Sequence, residues 1–296
     1  MLEDQVQKID GVQLSTYIYT GVTAMLGKLG RQPKLAIILA TTDEPSHRYV
    51  ELKRAAAGKL GIAVDIYDLP AEKQAPEVID LIKQLNADYT VDGIIVQLPM
   101  YPHLEHERKL IINAVAPNKD VDGLTALNQG YLSQNYFHYF VPAAVKAIMF
   151  CIQQAYSARN SQELRNQLQG KHVAIISQSV LVGRPLAQVL MNYDATVTLA
   201  NGQTPYLPSK TKTAQIVVSA TGTPGLITAD HLQERAIVID AGSTKTDSGV
   251  RGDLLVNQST LSKMSAFTPV PGGVGPLTIA FLLDNLVKAA STKAGS

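Results

Sequence analysis

The sequence predicts a two-domain α/β protein, with a parallel-sheet domain first and a Rossmann-like domain second. Its 296 residues are enough for two cores of ordinary size. Apolar strand-like runs alternate with helix-like stretches, which is typical of parallel sheets. The stretch 135–169 separates two such series. We therefore expect one domain over residues 1–140 and another over 141–275, with a C-terminal helix at 276–296 packing back onto the first.

The first series of elements begins at residue 34. Its strand-like runs are almost continuously apolar, which indicates strands buried on both faces of a sheet. In chain order, we predict a strand at 34–40, a helix at 49–60, a strand at 62–69, a helix at 77–85 and a strand at 91–99.

The second series begins at residue 172. Before it, the apolar stretch 140–154 predicts a helix, and the polar stretch 157–170 predicts a tether. After it, the stretch 276–290 predicts a helix with one apolar face, because large apolar residues recur there every three or four positions. The strands of the series are predicted at 172–177, 195–200, 214–222 and 236–242.

Composition and charge narrow the function classes. A net charge of +1 and an isoelectric point near 7.8 give no basic excess, so we expect a small charged metabolite as partner, with no nucleic acid and no membrane. The single cysteine, Cys151, excludes an intrachain disulfide and fits a reducing compartment. The first residues are too polar for a secretory signal, and no uninterrupted apolar run reaches the roughly 18 residues of a membrane helix. These features predict a cytoplasmic protein.

The stretch 174–185, AIISQSVLVGRP, leads from a predicted strand into a predicted helix. Backbone N–H groups at a helix start attract phosphate, so a loop at the first strand of a Rossmann-like domain suits a dinucleotide pyrophosphate. Of the three glycines of the pattern G-x-G-x-x-G, this loop has one, Gly183 at the start of the predicted helix, and Ser177 stands at the first position of the loop, where glycine is expected. On this evidence alone, an ordinary strand-to-helix turn fits equally well. Residues 199–204 contain neither an acidic residue that would bind the ribose 2′-OH of NAD nor an arginine that would bind the 2′-phosphate of NADP. The sequence of this loop therefore does not distinguish the two cofactors.

Three further places carry candidate functional residues. Tyr49 and Lys53 are four residues apart on a predicted helix and would share a face, although a half-buried tyrosine beside a lysine needs no function. Gln97 follows a buried strand, where open α/β sheets present ligands, but a glutamine there can also satisfy a backbone group. Asp120 and Asp122 fit either a ligand site or a turn.

Other chemistries are disfavoured. His103 and His106 lack a third ligand at a recognisable spacing, so no metal is expected. The G-x-S-x-G motif of serine hydrolases is absent from the sequence. Cys151 lies in an apolar run and is predicted to be a small buried residue rather than a nucleophile.

Several segments together form a recognisable series. They are Ser46 with YVELKRAAAGKLGI (49–62), VDGIIVQLP (91–99), APNKDVDGL (116–124), SVLVGRP (179–185), VVSATGTPG (217–225) and TPVPGGVGPLT (268–278). In this order and with these spacings, over nearly the whole chain, they resemble the bifunctional methylenetetrahydrofolate dehydrogenase/cyclohydrolase family of one-carbon folate metabolism.

The resemblance implies roles for individual residues. Lys53 would be the central acid/base residue, Gln97 would tune it by hydrogen bonding, and Asp122 would hold the pterin ring. The implied substrate-binding positions are Tyr49, which would stack on the folate, and Val96, Leu98, Pro271, Gly272, Gly273, Val274 and Gly275. The implied cofactor-binding positions are Ser177, Gln178, Ser179, Gly202, Thr221, Gly222 and Ser243.

The implied reactions are oxidation of 5,10-methylenetetrahydrofolate to 5,10-methenyltetrahydrofolate with NADP, and hydrolysis of the product to 10-formyltetrahydrofolate. The resemblance also implies a homodimer and a link to purine biosynthesis. Folate would occupy the first domain, completed by the C-terminal helix, and NADP would occupy the second.

The departures from the family pattern lie in the cofactor half. The family's G-[RA]-S is Ser177-Gln178-Ser179 here, and Asn201-Gly202-Gln203 replaces a basic or hydroxyl residue after the second strand. The P-[CA]-T-P and D-x-G-I-N motifs also differ, at 142–145 and 240–244. NAD is therefore not excluded, and neutral groups at the adenine ribose predict a weaker preference for NADP than an arginine would give. Two alternatives stay open: a cyclohydrolase with weak, lost or NAD-switched dehydrogenase activity, and a non-catalytic folate-binding relative.

Overall fold

The structure is a computed structural model that describes residues 6–136 and 140–294. Its strands are β1 (Gln7–Lys8), β2 (Lys34–Leu39), β3 (Ala63–Asp68), β4 (Gly93–Val96), β5 (His172–Ile176), β6 (Thr196–Ala200), β7 (Ile216–Ser219), β8 (Ala236–Asp240), β9 (Thr244–Thr246), β10 (Gly249–Arg251) and β11 (Met264–Phe267). Its α-helices are α1 (Gly11–Leu29), α2 (Glu44–Lys59), α3 (Ala75–Ala87), α4 (Pro102–Glu105), α5 (Arg108–Asn113), α6 (Ala126–Ser133), α7 (Ala143–Ala155), α8 (Ser161–Leu168), α9 (Gly183–Asn192), α10 (Leu207–Thr211), α11 (Gln258–Leu261) and α12 (Val274–Ala294).

The described residues divide into two compact units. Unit 1 takes its residues from Met1–Ser15 and Ala144–Thr278, and unit 2 takes them from Thr16–Ala143 and Ile279–Ser296. The predicted division into functional domains stays a prediction. The compact units differ from it at the start of the chain, because β1 pairs with β11 and so joins unit 1.

Unit 1 is built on a six-stranded sheet in the order β1-β11-β8-β7-β5-β6. Every neighbouring pair is parallel. Strands β5, β7 and β8 are apolar and almost entirely buried, as expected for strands covered on both faces. The chain leaves β5 first toward β6 and later toward β7, which is the reversal that marks dinucleotide-binding sheets. The predicted Rossmann-like fold is confirmed, and β1 and β11 extend the four predicted strands.

Unit 2 contains a three-stranded parallel sheet in the order β3-β2-β4. One apolar cluster includes Leu35 of β2, Val50 of α2 and Leu286 of α12. A second cluster includes Ile38 of β2 and Ile82 of α3. Because successive strand residues point to opposite faces, these two clusters cover the two faces of the sheet. The carboxyl end of β4 is thereby held between packed helices.

The polar stretch 157–170 was predicted as a tether, and that prediction is wrong. It contains α8, whose start is capped by Asn160, with the side-chain oxygen accepting a hydrogen bond from the Glu163 N–H at 2.9 Å. Leu164 and Leu168 are the buried residues of this helix. Two apolar residues four positions apart are enough to dock a short polar helix, although they form too weak a pattern to predict one.

Helix α12 begins at Val274, earlier than predicted. Its stretch Val274–Lys293 is long and apolar enough to cross a membrane by length and composition, with a mean hydropathy of 1.2, which corrects the expectation that no segment reaches this size. However, 72% of its most apolar stretch is buried inside the protein, as in the core helix of a globular protein. Its Asn285 donates hydrogen bonds to the backbone oxygens of Val121 at 2.9 Å and Val141 at 3.0 Å, which ties the helix to its own unit.

Candidate active site

Helix α2 positions Lys53. The helix begins after Asp43, whose carboxylate accepts hydrogen bonds from the Ser46 N–H at 2.9 Å and the Ser46 hydroxyl at 2.6 Å. Lys53 lies on the buried face of the helix and is only 5% exposed. Tyr49 lies one turn earlier on the same side, in agreement with the predicted i, i+4 pair.

The Lys53 amine lies close to an amide and to an aromatic ring. Its Nζ donates to Gln97 Oε1 at 2.9 Å and lies 4.8 Å from the centroid of the Tyr49 ring. Gln97 follows β4 directly, and its Nε2 donates to the Leu98 backbone oxygen at 2.9 Å. This second bond orients the amide so that its oxygen faces Lys53. The carboxyl edge of β4 therefore carries a polar group that reaches α2.

Burial and charge act in opposite directions on Lys53. Removal from water lowers the pKa of the Lys53 amine below its ordinary value, and the Asp122 carboxylate partly opposes this change. Burial raises the pKa of Asp122, Lys53 opposes that rise, and Asp120 adds to it. A lysine whose pKa is lowered gives up its proton more readily and can take it back, which is what an acid/base catalyst needs.

The structure separates the roles of the two aspartates. The buried Asp120 carboxylate accepts hydrogen bonds from the Thr125 N–H at 2.8 Å and from Asn128 Nδ2 at 2.8 Å. These bonds fix the turn into α6, so the turn-forming alternative applies to Asp120. Asp122 is partly buried, which is enough to raise its pKa but leaves some of the residue accessible, and its charge acts on Lys53. Asp122 is therefore the better candidate for a ligand contact.

Asp122→Asn is expected to lower the pKa of Lys53 further, because it removes the negative charge that favours the ammonium form. The midpoint of the Lys53 titration should move to lower pH, as measured by NMR on protein carrying ¹³C-labelled lysine side chains. The control is Asp80→Asn, at an exposed aspartate paired with Lys83, which should leave that midpoint in place. A midpoint that stays or rises in Asp122→Asn would contradict the assigned interaction.

The other predicted substrate-binding positions fall in both units. Val96 ends β4 with a buried side chain, and Leu98 is partly buried after it. The range 271–275 belongs to unit 1, and its last two residues begin α12. Within unit 1, the Gly11 N–H donates to the Gly272 oxygen at 2.8 Å, which ties this glycine-rich segment to the start of α1.

The loop between β5 and α9 brings backbone groups together closely. A Cβ on Gly183 would lie 1.9 Å from the Ser177 backbone oxygen, so only glycine lets the helix start this near the strand. Ser177 Oγ donates to Ser179 Oγ at 3.2 Å, and Ser179 Oγ accepts from the Val182 N–H at 3.1 Å. The missing first glycine is no obstacle to this geometry, since Ser177 contributes only a carbonyl to the contact.

Neutral side chains connect this loop to the end of β6. Asn201 Nδ2 donates to Gln178 Oε1 at 3.1 Å, and the Gln203 N–H donates to Asn201 Oδ1 at 2.9 Å. Gly202 has open space around its Cα. Arg184 Nε donates to the Gln178 backbone oxygen at 3.0 Å and brings a positive charge that sequence reasoning did not single out.

Thr221, Gly222 and Ser243 follow β7 and β8 and are exposed. Thr244 Oγ1 donates to the Gly222 oxygen at 2.8 Å and so links the two loops. A buried carboxylate, Asp253, accepts hydrogen bonds from the Thr221 N–H at 2.7 Å and hydroxyl at 2.9 Å. Sequence reasoning missed Asp253, because its partner is 32 residues away and no spacing pattern relates them.

Other chemistries find little support. Within residues 6–136 and 140–294, no group of three or more His, Cys, Asp and Glu residues is placed to hold a metal ion. His103 Nε2 instead pairs with the Lys73 backbone oxygen at 2.9 Å. Cys151 is buried as predicted, and burial raises the pKa of its thiol to about 12, so the nucleophilic thiolate is scarce at neutral pH.

Most of the chain matches the two domains of one known protein family. Residues 9–122 match the tetrahydrofolate dehydrogenase/cyclohydrolase catalytic domain, and residues 158–294 match the NAD(P)-binding domain of the same family. The chain belongs to the tetrahydrofolate dehydrogenase/cyclohydrolase family. The resemblance seen in the sequence motifs is thereby confirmed, and Lys53, Gln97 and Asp122 lie within the matched catalytic domain.

Individual relatives cover nearly the full length of the chain. The bifunctional protein FolD of Campylobacter fetus is 38% identical over 97% of this chain and 99% of its own length. The crystal structure of the bifunctional enzyme FolD from Campylobacter jejuni has a TM-score of 0.88 at 35% identity, covering 97% of this chain and 99% of that one. The Trypanosoma brucei enzyme, solved with NADP and an inhibitor, has a TM-score of 0.89 at 30% identity, covering 98% and 99%.

Proposed function

We propose that this chain oxidises 5,10-methylenetetrahydrofolate to 5,10-methenyltetrahydrofolate with NADP and hydrolyses the product to 10-formyltetrahydrofolate. One observation carries the proposal: the buried Lys53 amine is hydrogen-bonded to Gln97, beside the Tyr49 ring and the Asp122 charge. Family membership supports both activities, since the matched domains are catalytic and NAD(P)-binding.

Hydrolysis requires proton movements that suit Lys53. Water attacks the cationic methenyl carbon and must lose a proton, which the neutral amine of Lys53 accepts. When the C–N bond then breaks, the Lys53 ammonium gives its proton to the departing nitrogen, and the hydroxyl proton of the adduct leaves to solvent as the formyl C=O forms. Gln97 Oε1 stabilises that ammonium by accepting its hydrogen bond. The Tyr49 ring offers an aromatic face to a flat cationic substrate, and Asp122 holds the pterin ring.

The residues of unit 1 fit a dinucleotide. The contact between Gly183 and the Ser177 carbonyl sets the start of α9 against the end of β5, where helix N–H groups attract a pyrophosphate. When bound, NADP accepts a hydride from the one-carbon bridge of the substrate. The same backbone contacts suit NAD, which stays an alternative. The residues that would hold the cofactor are Ser177, Gln178, Ser179, Gly202, Thr221, Gly222 and Ser243.

Separate assays of the two activities test the proposal. Reduction of NADP and of NAD should be followed with methylenetetrahydrofolate, and loss of methenyltetrahydrofolate should be followed without any nucleotide. We expect turnover in both assays, with NADP preferred. Turnover in the second assay alone would support the cyclohydrolase alternative, and turnover in neither would support a non-catalytic folate-binding protein.

Gln178→Arg is expected to shift the preference toward NADP. A guanidinium at this position would meet the 2′-phosphate with charge-assisted hydrogen bonds, whereas Gln178 now bonds neutrally to Asn201. The ratio of the Kd for NAD to the Kd for NADP should rise roughly tenfold, as one such bond would give. Calorimetric titration of both nucleotides measures it.

The matched control adds the same charge elsewhere in unit 1. Gln162→Arg, on the exposed side of α8, should leave the ratio unchanged. An equal gain in both variants would indicate general attraction of anions. An unchanged ratio in Gln178→Arg would contradict the proposed place of the adenine ribose.

We also propose a cytoplasmic homodimer in which residues 1–140 with 276–296 bind folate and 141–275 bind the cofactor. The support is the family resemblance together with the placement of the Lys53 cluster and the Gly183 loop in different units. Light scattering of the purified chain at several concentrations tests the dimer, and a monomeric mass throughout would contradict it.

A further inference from the structure

A fully buried carboxylate organises the turn after β7. Asp253, which is 0% exposed, accepts hydrogen bonds from Ser219 Oγ at 2.6 Å, from the Thr221 N–H at 2.7 Å and hydroxyl at 2.9 Å, and from the Thr223 N–H at 2.9 Å. Three of these bonds reach Oδ2 and one reaches Oδ1. Both oxygens of Asp253 are therefore engaged with protein donors, and the turn from Ser219 to Thr223 takes its shape from them.

The Asp253 carboxylate also packs closely against the residues at the end of β8. A Cβ on Gly242 would lie 2.2 Å from Asp253 Oδ1, and a Cβ on Gly252 would lie 2.1 Å from Asp240 Oδ2. Asp240 in turn accepts hydrogen bonds from the Gly242 N–H at 2.9 Å and the Leu254 N–H at 2.8 Å. Each aspartate thus faces a glycine of the other's segment. Neither the carboxylates nor the glycines can be enlarged without moving a strand end.

The strand order indicates which half of a bound dinucleotide would lie near the turn held by Asp253. The proposed pyrophosphate loop follows β5. In Rossmann-like sheets, the residues after the second strand bind the adenine ribose. That second strand is β6, on one side of β5, whereas β7 and β8 lie on the other side. A dinucleotide that crosses the loop therefore directs its nicotinamide half toward the ends of β7 and β8.

We propose that Asp253 is a positioning residue for the nicotinamide half of the cofactor. The inference rests on the proposed function and deepens it. Asp253 is buried and fully engaged, so it acts through the exposed Thr221-Gly222-Thr223 turn rather than by contact. The carboxylate holds the backbone and hydroxyl groups of the turn in an ordered arrangement before the cofactor binds. Binding therefore does not have to order them.

Asp253→Asn tests this role, because an amide keeps one acceptor oxygen but turns its NH₂ toward N–H and hydroxyl donors. Two probes are titrated by calorimetry: NADP, and adenosine 2′,5′-bisphosphate, which represents only the adenosine half. We expect the Kd for NADP to rise roughly tenfold or more, as loss of charge-assisted bonds would cause, with the Kd for the bisphosphate unchanged. Methenyltetrahydrofolate hydrolysis should also be unchanged, and the KM for NADP should rise.

Two further variants keep the test decisive. Ser219→Ala removes one of the bonds to Asp253 without altering the carboxylate, and it should weaken NADP binding in the same direction but less, even if Asp253→Asn fails to fold. Asp230→Asn makes the same charge change at an exposed site of unit 1 and should leave both titrations as in the wild type.

The contrary outcomes are distinct. Equal weakening of both probes in Asp253→Asn, or wild-type NADP binding in Ser219→Ala and Asp253→Asn, would overturn the positioning role while leaving the proposed function intact. Wild-type protein that binds the bisphosphate but shows no hydride transfer with either nucleotide would instead overturn the proposed dehydrogenase, and this inference with it.

Discussion

Lys53→Met is expected to lower the rate of methenyltetrahydrofolate hydrolysis by about 10²–10⁴-fold, the contribution usual for a positioned acid/base group. Methionine keeps the unbranched apolar stem and removes the amine that donates a hydrogen bond to Gln97 and interacts electrostatically with Asp122. The fold should persist, because the substitution removes a group that is costly to bury in its charged form. The measurement is the hydrolysis rate, with circular dichroism and thermal unfolding as checks on the fold.

The control for this variant is Lys59→Met on the same helix. Lys59 is exposed at the end of α2, so the same chemical change there should leave hydrolysis as in the wild type. Wild-type turnover in Lys53→Met would contradict the catalytic assignment and support the non-catalytic folate-binding alternative.

A second buried lysine shows why Lys53 is the better candidate for the proposed acid/base role. Lys119 Nζ donates to the backbone oxygens of Leu85 at 2.8 Å, Asn86 at 2.8 Å and Asp88 at 2.7 Å. Three carbonyls accept all three N–H bonds of an ammonium, so Lys119 holds the end of α3 and has no N–H left for a ligand. Within the part of the chain that the structure describes, the Lys53 amine meets one amide oxygen and an aromatic face, which leaves part of its hydrogen-bonding capacity for a substrate.

The arrangement of the candidate residues in unit 2 could be predicted from the sequence because it is local. Tyr49 and Lys53 share a helix face through their spacing alone, and Gln97 reaches the sheet edge because it directly follows a buried strand. The choice between Asp120 and Asp122 could not be made, because turn formers and ligands use the same residue type. Only the partners of Asp120, on the turn and on α6, separate the two.

The candidate cofactor site in unit 1 depends on contacts that sequence spacing does not reveal. Asp253 meets Ser219 across 34 residues, and Asn201 meets Gln178 across 23. In the sequence, Gly183 is only weak evidence for a dinucleotide-binding loop, because the other glycines of the pattern are missing. Its importance comes from a single backbone approach that becomes visible only when β5 and α9 are in place.

Gly183→Ala is expected to raise the Kd for NADP by roughly 10–100-fold, because the start of α9 must move away from the end of β5. An added Cβ would lie 1.9 Å from the Ser177 oxygen and 2.5 Å from its carbonyl carbon, and backbone atoms cannot yield as a flexible side chain can. Overpacking of this kind costs about 1–3 kcal/mol of folding free energy. Calorimetric titration with NADP measures the first effect, and urea unfolding measures the second.

The same substitution elsewhere distinguishes this contact from a general response to alanine. Gly27 lies within α1 with open space around its Cα, so Gly27→Ala should keep NADP binding and stabilise the helix by about 0.5–1 kcal/mol. Hydrolysis of methenyltetrahydrofolate should persist in Gly183→Ala, since Lys53 and its partners belong to unit 2. Retained NADP binding in Gly183→Ala would show that the pyrophosphate does not depend on this loop. If Gly183→Ala loses both hydrolysis and NADP binding, the functions of the two units depend on each other.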